Sequence, residues 1–168
     1  MTYQLLAGLA VALGTHNAAS FVQTYLHYRM GHHRRGGRTN RYHLQYHHAI
    51  YSRTFVTDRY VKEDKDVSLY YIPVAVFIAA AAYMLLPVWL FVVHVIAMAA
   101  SFAAHTYVHA QYHLRTTWLQ RFAWFCRKQR LHAVHHRNPS KNFAVLGFVW
   151  DRCLGTYQAP RQEVDHAR

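Results

Sequence analysis

A run of 37 residues from Ser68 to Ala104 contains no Lys, Arg, Asp or Glu. As one straight helix it would be about 55 Å long at ~1.5 Å per residue, nearly twice the roughly 30 Å hydrocarbon core of a bilayer. We therefore expect the run to fold back on itself, and Pro87 in MLLPVW is the residue that interrupts a helix. The sequence predicts two membrane-spanning helices here, at residues 68–86 and 88–104.

Residues 3–26 are likewise uncharged and mostly apolar, and they predict a third spanning helix. Two alternatives are a secretory signal at residues 1–20 and buried core helices of a soluble protein. No basic residue precedes the apolar stretch, which argues against a cleaved signal. Segments this long and uncharged would also leave a soluble domain too little polar surface. We predict one all-α domain over residues 1–168, an integral membrane helical bundle with about three transmembrane helices.

The basic residues support one topology. Nine Lys and Arg lie in residues 27–67 and ten lie in residues 105–168. Three spans place both blocks on one side of the membrane, and the positive-inside tendency makes that side cytoplasmic. The net charge of +12 is then an orientation signal and an attraction to anionic lipid rather than a sign of nucleic-acid binding. Cys126 and Cys153 lack CxxC spacing, so neither a disulfide framework nor a thiolate metal site is expected.

The histidines divide in the same way as the basic residues. Of fifteen, six lie in residues 27–48 and six in residues 105–136, so both clusters belong to the cytoplasmic regions 27–67 and 105–157. Helical residues three or four apart share a face. The boxes HAQYH and HAVHH therefore each aim imidazoles at one point. The candidate ligands are His27, His32, His43, His47, His48, His109, His113, His132, His135 and His136.

Two of the boxes fit an α-helix less well. In HLQYHH, His48 is rotated by about 140° from His43 on an ideal helix. In HYRMGH, His27 and His32 are five residues apart, and we expect Gly31 to end the helix and re-aim His32. This divergence favours two metal ions over one. His33 and His105 are weaker candidates, because a histidine near a membrane is often a packing residue and HHRR can be a solvated basic surface.

Local signals place the boxes on helices, and the donor type restricts the metal. Thr39 or Asn40 is expected to cap a helix that carries HLQYHH, and Pro139 is expected to end the helix that carries HAVHH. Imidazole suits iron, zinc, copper and nickel, whereas magnesium and calcium prefer oxygen ligands. A carboxylate-bridged di-iron bundle is disfavoured, because the chain's one Glu-x-x-His pair is Glu163 and His166.

The ordered boxes HYRMGH, HLQYHH, HAQYH and HAVHH, followed by NFAVLGFVWDRCLGTY, resemble the fatty acid hydroxylase and sterol desaturase superfamily over residues 27–157. The resemblance implies a membrane-embedded helical enzyme whose histidines hold two metal ions at the cytoplasmic face. We expect these to be iron, with zinc as a possible substitute because zinc also accepts imidazole. It implies activation of O2 with externally supplied electrons and hydroxylation or desaturation of a lipid. We expect hydroxylation of a lipid, such as a fatty-acyl or sterol-like substrate. The family's second box usually reads H-x2-HH, and the H-x3-HH found here puts the role of His43 in doubt.

The resemblance also gives Asn142 and Asp151 a role beside the ligands, since a carboxylate can orient a ligand imidazole; a helix or turn cap is the alternative for Asp151. The chain has no GxGxxG or other cofactor motif. We therefore expect electrons from a separate partner, such as a cytochrome b5-like protein or a ferredoxin with its reductase. The basic cytoplasmic face would suit an acidic carrier.

Other functions stay open at this stage. Within enzymes the alternatives are a lipid desaturase and a carotenoid-type ring hydroxylase; outside enzymes they are a metal-binding membrane transporter or sensor. His16 and His94 lie within predicted spans, each 11 residues before a cytoplasmic histidine. We expect both to face the bundle interior. There they either make interhelical hydrogen bonds to each other or to backbone, or line a substrate channel from the bilayer to the metals.

Overall fold

A computed structural model of the chain describes residues 2–51, 55–61 and 71–160. These residues are mostly helical, and within them the one β-type pairing is an isolated bridge between Thr57 and Leu114. The predicted all-α fold is therefore confirmed. The start of the predicted span 68–86 lies outside the described residues, as do Glu163 and His166.

The helices run as follows. In chain order they are α1 (Thr2–Leu26), a first π-helix (His27–Gly31), a 3₁₀ helix (Arg34–Gly36), α2 (Arg38–Tyr42), a second π-helix (His43–His48), α3 (Tyr71–Leu85), α4 (Val88–Tyr112), a second 3₁₀ helix (Trp118–Arg121), α5 (Ala123–Arg137) and α6 (Val149–Cys153).

Two helices are long and apolar enough to cross a bilayer. One is the continuous 30-residue segment Thr2–Gly31, made of α1 and the first π-helix, and the other is the 25-residue α4. Helix α3 is also apolar but shorter, with 15 described residues. The break between α3 and α4 lies at Pro87, as the sequence predicts, since Pro87 is the N-cap of α4. The division into three spans stays a prediction.

The long helices have the polarity pattern of a membrane protein. All four buried side chains of α1 are polar, Thr24 being 2% exposed, and α4 buries the polar His94 and Ser101 at 7% and 4% exposure. Large apolar side chains face outward instead, and Leu6 of α1 and Ile96 of α4 are 60% and 63% exposed. A soluble bundle would reverse this arrangement, because water would then contact the apolar faces. The chain is a helical membrane protein.

Helices α1 and α4 pack side by side and run in the same direction. Thr15 Oγ1 lies 2.8 Å from His94 Nδ1, and His16 Nδ1 lies 2.6 Å from Ser101 Oγ. Helix α3 returns antiparallel to α4. Between α1, α3 and α4 lies an interhelical cavity of about 280 Å³.

Beyond α4, the chain forms a cap of short helices over the helix ends. Thr117 caps the second 3₁₀ helix, with Gln120 completing a capping box. Helix α5 ends at Arg137, two residues before Pro139, as predicted. A buried cluster joins the helices and the following loop, and it consists of Val108, Tyr112, Leu119, Phe125 and Val145.

The start of α2 differs from the prediction. Its N-cap is Gly37, not Thr39 or Asn40, and both of these residues are buried within α2. Asn40 is used differently, because its Nδ2 donates to the Gly31 carbonyl at 2.8 Å. The buried Asn40 amide, in the first turn of α2, thus fixes the end of the first π-helix.

Candidate metal centre

The two π-helices bring histidines five residues apart into register. A π-helix pairs residues i and i+5, so its turn is wider than that of an α-helix. The rings of His27 and His32 are centred 5.1 Å apart, and those of His43 and His48 are centred 4.8 Å apart. The two histidine pairs whose spacing fits an α-helix poorly are therefore brought together by the π-helices. Gly31 does not end the helix by adopting a left-handed conformation; it is the last residue of the first π-helix.

The other five candidate ligands come from α4 and α5. His109 lies in the last turn of α4, and His113 is its C-cap. His132, His135 and His136 lie in the last two turns of α5, which Pro139 follows. The parallel bridge between Thr57 and Leu114 fixes the chain directly after His113, with Thr57 N donating to the His113 carbonyl at 2.9 Å.

Eight imidazoles form two groups of four. In each group, one nitrogen per ring lies within 4.8 Å of those of the other three. The first group is His27, His32, His43 and His135, and the second group is His47, His113, His132 and His136. Each group combines ligands from different parts of the sequence, and His43 and His47, one helical turn apart, belong to different groups.

The nitrogen positions match the dimensions of a metal site. Nε2 of His27 lies 2.9 Å from Nε2 of His43, Nε2 of His47 lies 3.1 Å from that of His136, and Nε2 of His113 lies 3.2 Å from that of His132. Nitrogens placed about 2.0–2.1 Å from one metal ion are separated by roughly 3.3–3.4 Å along the edges of a tetrahedron and by roughly 2.8–3.0 Å along those of an octahedron. The histidine groups can therefore hold metal ions.

The remaining two candidates adjoin these groups. His48 Nε2 lies 3.2 Å from His135 Nε2, and its ring stacks on His136 with centroids 4.3 Å apart, so His48 lies between the first and second groups. The His109 ring is centred 4.8 Å from those of His47 and His132. Its Nε2 is buried and has no hydrogen-bond partner among the described residues. All ten predicted ligands therefore lie in one cluster.

The environment keeps these imidazoles neutral, which is the form that binds metal. Burial, followed by the neighbouring imidazoles, holds the pKa of His132 and His135 well below the usual range. Burial also lowers the pKa of His48 to about 3. It lowers the pKa of His113 to about 4, although a hydrogen bond to a backbone carbonyl opposes the shift. A neighbouring carboxylate would favour the charged form of an imidazole, and among the described residues none contacts the second group.

Backbone carbonyls orient three of the rings. His27 Nδ1 and His135 Nδ1 each lie 2.6 Å from a carbonyl oxygen, of Phe143 and Lys141 respectively. His113 Nδ1 lies 3.1 Å from the Phe55 carbonyl oxygen. A carbonyl only accepts, so each Nδ1 carries the proton and each Nε2 presents its lone pair to the group.

Two aromatic rings cover the centre. Phe143, 1% exposed, is centred 5.2–5.7 Å from three rings of the first group. Phe55 is centred 5.0 Å from His113 and 5.5 Å from His136 of the second group. These rings shield one side of each group from water, while His27, His32 and His136 stay partly exposed.

Asn142 and Asp151 shape the loop that supplies two of those carbonyls. Asn142 lies between Lys141 and Phe143, with φ 55° in the left-handed region. Its side chain is fully buried, and its Nδ2 donates to Leu131 O at 3.1 Å and to Gln158 O at 2.8 Å. The left-handed turn lets the carbonyls on either side of Asn142 reach two different histidines.

The Asp151 carboxylate holds the same loop from the other side. It accepts from Phe143 N at 2.7 Å, Ala144 N at 2.9 Å and Thr156 Oγ1 at 2.8 Å. Burial raises the pKa of this carboxyl, and the three hydrogen bonds oppose the rise. Among these contacts none joins Asp151 directly to an imidazole; its action on His27 passes through the Phe143 backbone.

Four other histidines lie apart from the groups. His33 Nδ1 accepts from Arg35 N and caps the first 3₁₀ helix. The His105 ring is 6.3 Å from that of His109, on the side of Tyr71. His16 and His94 bond hydroxyls of the facing helix rather than each other, and neither lines the interhelical cavity. These bonds agree with the structural alternative, in which both histidines make hydrogen bonds between helices. Their partners are side-chain hydroxyls, whereas bonds to each other or to backbone were expected.

Several residues of the centre were not found by sequence reasoning. The carbonyls of Phe55, Lys141 and Phe143 give no sequence signal, because every residue has one. Gly31 was expected to end the helix and re-aim His32; the first π-helix does end at Gly31, which also has a steric role that the sequence did not indicate. A Cβ there would lie 3.0 Å from His27 Cδ2 and 3.3 Å from His43 Cδ2.

A comparison with protein families agrees with this geometry. The model of the fatty acid hydroxylase family matches residues 11–156, most of the chain. The protein belongs to the fatty acid hydroxylase family. The comparison with curated proteins finds no significant match, and neither does the comparison with solved structures.

Proposed function

We propose that the protein is a membrane-bound, O2-dependent oxygenase that uses two iron ions to hydroxylate a lipid, such as a fatty-acyl or sterol-like substrate. The observation that carries the proposal is the pair of adjacent four-histidine groups, against which the rings of Phe143 and Phe55 pack. Family membership supports the type of reaction. An all-nitrogen donor set suits iron, and zinc is the expected substitute on overexpression.

The ligand assignment follows the two groups. His27, His32, His43 and His135 hold one ion, and His47, His113, His132 and His136 hold the other. His48 and His109 complete the two coordination shells. When bound, the ions supply the redox chemistry that activates O2. The carbonyls of Lys141, Phe143 and Phe55 keep three ligand rings in one tautomer, and the covering aromatic rings shield one side of each group from bulk water.

The reaction needs an external source of electrons. Hydroxylation inserts one oxygen atom of O2 into a C–H bond, and two electrons and two protons convert the other atom into water. We propose that a cytochrome b5-like protein or a ferredoxin with its reductase supplies the electrons at the cytoplasmic face. Exposed arginines near the centre, including Arg34, Arg38 and Arg137, suit an acidic carrier.

A transporter or sensor remains the alternative outside enzymes. A transport path would need ionisable ligands along the membrane interior. Within the described residues, the deep histidines His16 and His94 instead bond Ser101 and Thr15 between packed helices. A lipid desaturase and a carotenoid-type ring hydroxylase would use the same centre, so product analysis separates them from the hydroxylase.

The test combines metal content with turnover. The full chain, purified without chelator, is expected to contain two transition-metal ions by elemental analysis. The iron form should take up O2 only with an electron donor, and mass spectrometry should show hydroxylated lipid in cells that express it. His135→Ala should lose metal and activity together, whereas His33→Ala, which changes a histidine outside the groups, should keep both. One ion or none in the wild type would overturn the di-metal assignment.

A further inference from the structure

Apart from the Gln23 amide and the Tyr71 hydroxyl, the wall of the interhelical cavity is apolar. Its wall includes Ala75 and Ile78 of α3 and Ala99 and Phe102 of α4. Gln23 of α1 supplies the amide. At about 280 Å³, the cavity lies near the lower end of the range of small-molecule sites, roughly 300–1,000 Å³. It has room for a segment of a lipid rather than a whole lipid.

Gln23 lacks a partner for one end of this amide. The side chain is 4% exposed, and its Oε1 is buried without a hydrogen-bond partner in the described part of the chain. Burying an amide oxygen without a partner is unfavourable, and few buried polar atoms in folded proteins are left so. Because the two ends of a carboxamide can exchange places, Gln23 can either accept from a hydroxyl or donate to a carbonyl.

The position of Gln23 relates the cavity to the metal centre. Gln23 lies four residues before His27, which is about 6 Å along the axis of α1. At the same end of the cavity, the Tyr71 ring is centred 6.0 Å from Phe102 and 6.5 Å from His105. Ile78 and Val95 line the opposite end, deeper in the bundle. The amide is therefore at the end of the cavity nearest the histidines.

We propose that this cavity binds the apolar chain of a lipid that carries one hydroxyl or carbonyl group, and that Gln23 hydrogen-bonds that group. The chain then lies between α1, α3 and α4 with its polar group towards the histidines. As part of the proposed hydroxylation, Gln23 sets the position that is oxidised. The oxidised carbon lies a few bonds from the polar group and is counted from that group rather than from the far end of the chain.

Binding is tested without turnover, with two photoreactive probes in lipid vesicles that contain the full chain. One probe is dodecanol with a diazirine in its chain, and the other is the matching hydrocarbon without the hydroxyl. The alcohol is expected to label peptides from α3 and α4 about fivefold more than the hydrocarbon, the gain from one hydrogen bond. Gln23→Leu should reduce alcohol labelling to the hydrocarbon level and leave the metal content unchanged.

Matched variants separate the cavity from the surrounding bilayer. Ala99→Phe fills the cavity and should reduce labelling by both probes. Ile96→Phe adds a similar side chain at a position that is 63% exposed and outside the cavity wall, so it should change neither. Equal alcohol labelling of the wild type and Gln23→Leu would overturn the proposal.

Lipid binding in the cavity and lipid oxidation by the protein are tested separately. Labelling that depends on Gln23 in a protein that oxidises no lipid would support the binding site and count against the oxygenase. If the protein hydroxylates a lipid, Gln23→Leu is expected to spread hydroxylation over several carbons. An unchanged product with unchanged labelling would reject the role of Gln23 while the oxygenase stands.

Discussion

At the scale of single residues, Gly31 shows how tightly the imidazoles pack. Its missing side chain leaves room for the rings of His27 and His43, which belong to the same group. Its carbonyl accepts from the buried Asn40 amide, so the backbone cannot easily move away. Any side chain at position 31 therefore displaces a ligand rather than the backbone.

We predict that Gly31→Ala removes metal from the first group. A Cβ at 3.0 Å from a ring carbon is closer than van der Waals contact, so the His27 ring must shift by a few tenths of an ångström, and we expect this shift to weaken metal binding by the group. The metal content measured by elemental analysis should fall from two ions per chain towards one. Gly14→Ala is the control, since nothing lies within 4 Å of the added Cβ. Full metal content in Gly31→Ala would contradict the steric role.

We also predict that Asp151→Asn destabilises the protein and weakens the first group. The amide keeps the shape of the carboxylate but replaces an acceptor by a donor, which leaves a backbone N–H of Phe143 or Ala144 without a partner. Leaving one such buried group unsatisfied costs about 1–3 kcal/mol. Thermal unfolding and metal analysis measure the two effects. Thr156→Val, which removes one of the three hydrogen bonds, should give a smaller loss; equal stability of Asp151→Asn and the wild type would refute the argument.

At the scale of helices, the local features were predictable and the pairing of segments was not. The absence of charge and the position of Pro87 predict apolar helices with a break, because both act within one segment. The histidine spacing predicts ligands on helices. It does not predict that His43 and His47, neighbours on one helix face, join different groups, since that depends on where α4 and α5 pack. The π-helices were also missed, because propensity does not distinguish them from α-helices.

The second π-helix explains the unusual second box. The extra residue of H-x3-HH is accommodated in the wider turn at His43–His48. We predict that deletion of Gln45, which gives the H-x2-HH spacing on an α-helix, keeps both ions by elemental analysis. Deletion of Val134 is the control, because it shortens HAVHH in the regular helix α5 and should remove metal. Loss of metal on deletion of Gln45 would show that the π-helix itself is required.

At the scale of the whole molecule, the parallel packing of α1 and α4 brings the ligands together. Both helices end at the histidine cluster, so α1 leads into His27 and α4 leads into His109 and His113. Every ligand then lies at one end of the bundle. Which side of the membrane this end faces follows from the charge pattern and stays a prediction.

We predict that the cluster and the C-terminal part of the chain face the cytoplasm. Cys153 is exposed and lies in α6 on the side of the cluster, so it serves as a reporter. A membrane-impermeant maleimide should not label Cys153 in intact cells and should label it after permeabilisation. Cys126→Ser removes the other thiol and makes the reading specific. Labelling of Cys153 in intact cells would reverse the topology.

The division of the ligands between the two groups has a consequence for biosynthesis. Both groups draw on α5, the first through His135 and the second through His132 and His136. The imidazoles from His27 to His48 are translated long before α5 and wait at the membrane surface without a complete set of partners. Neither four-histidine group is complete until α5 has been translated. On the proposed di-metal assignment, metal binding is completed only after α5 has been made, so metal supply acts on maturation rather than on insertion.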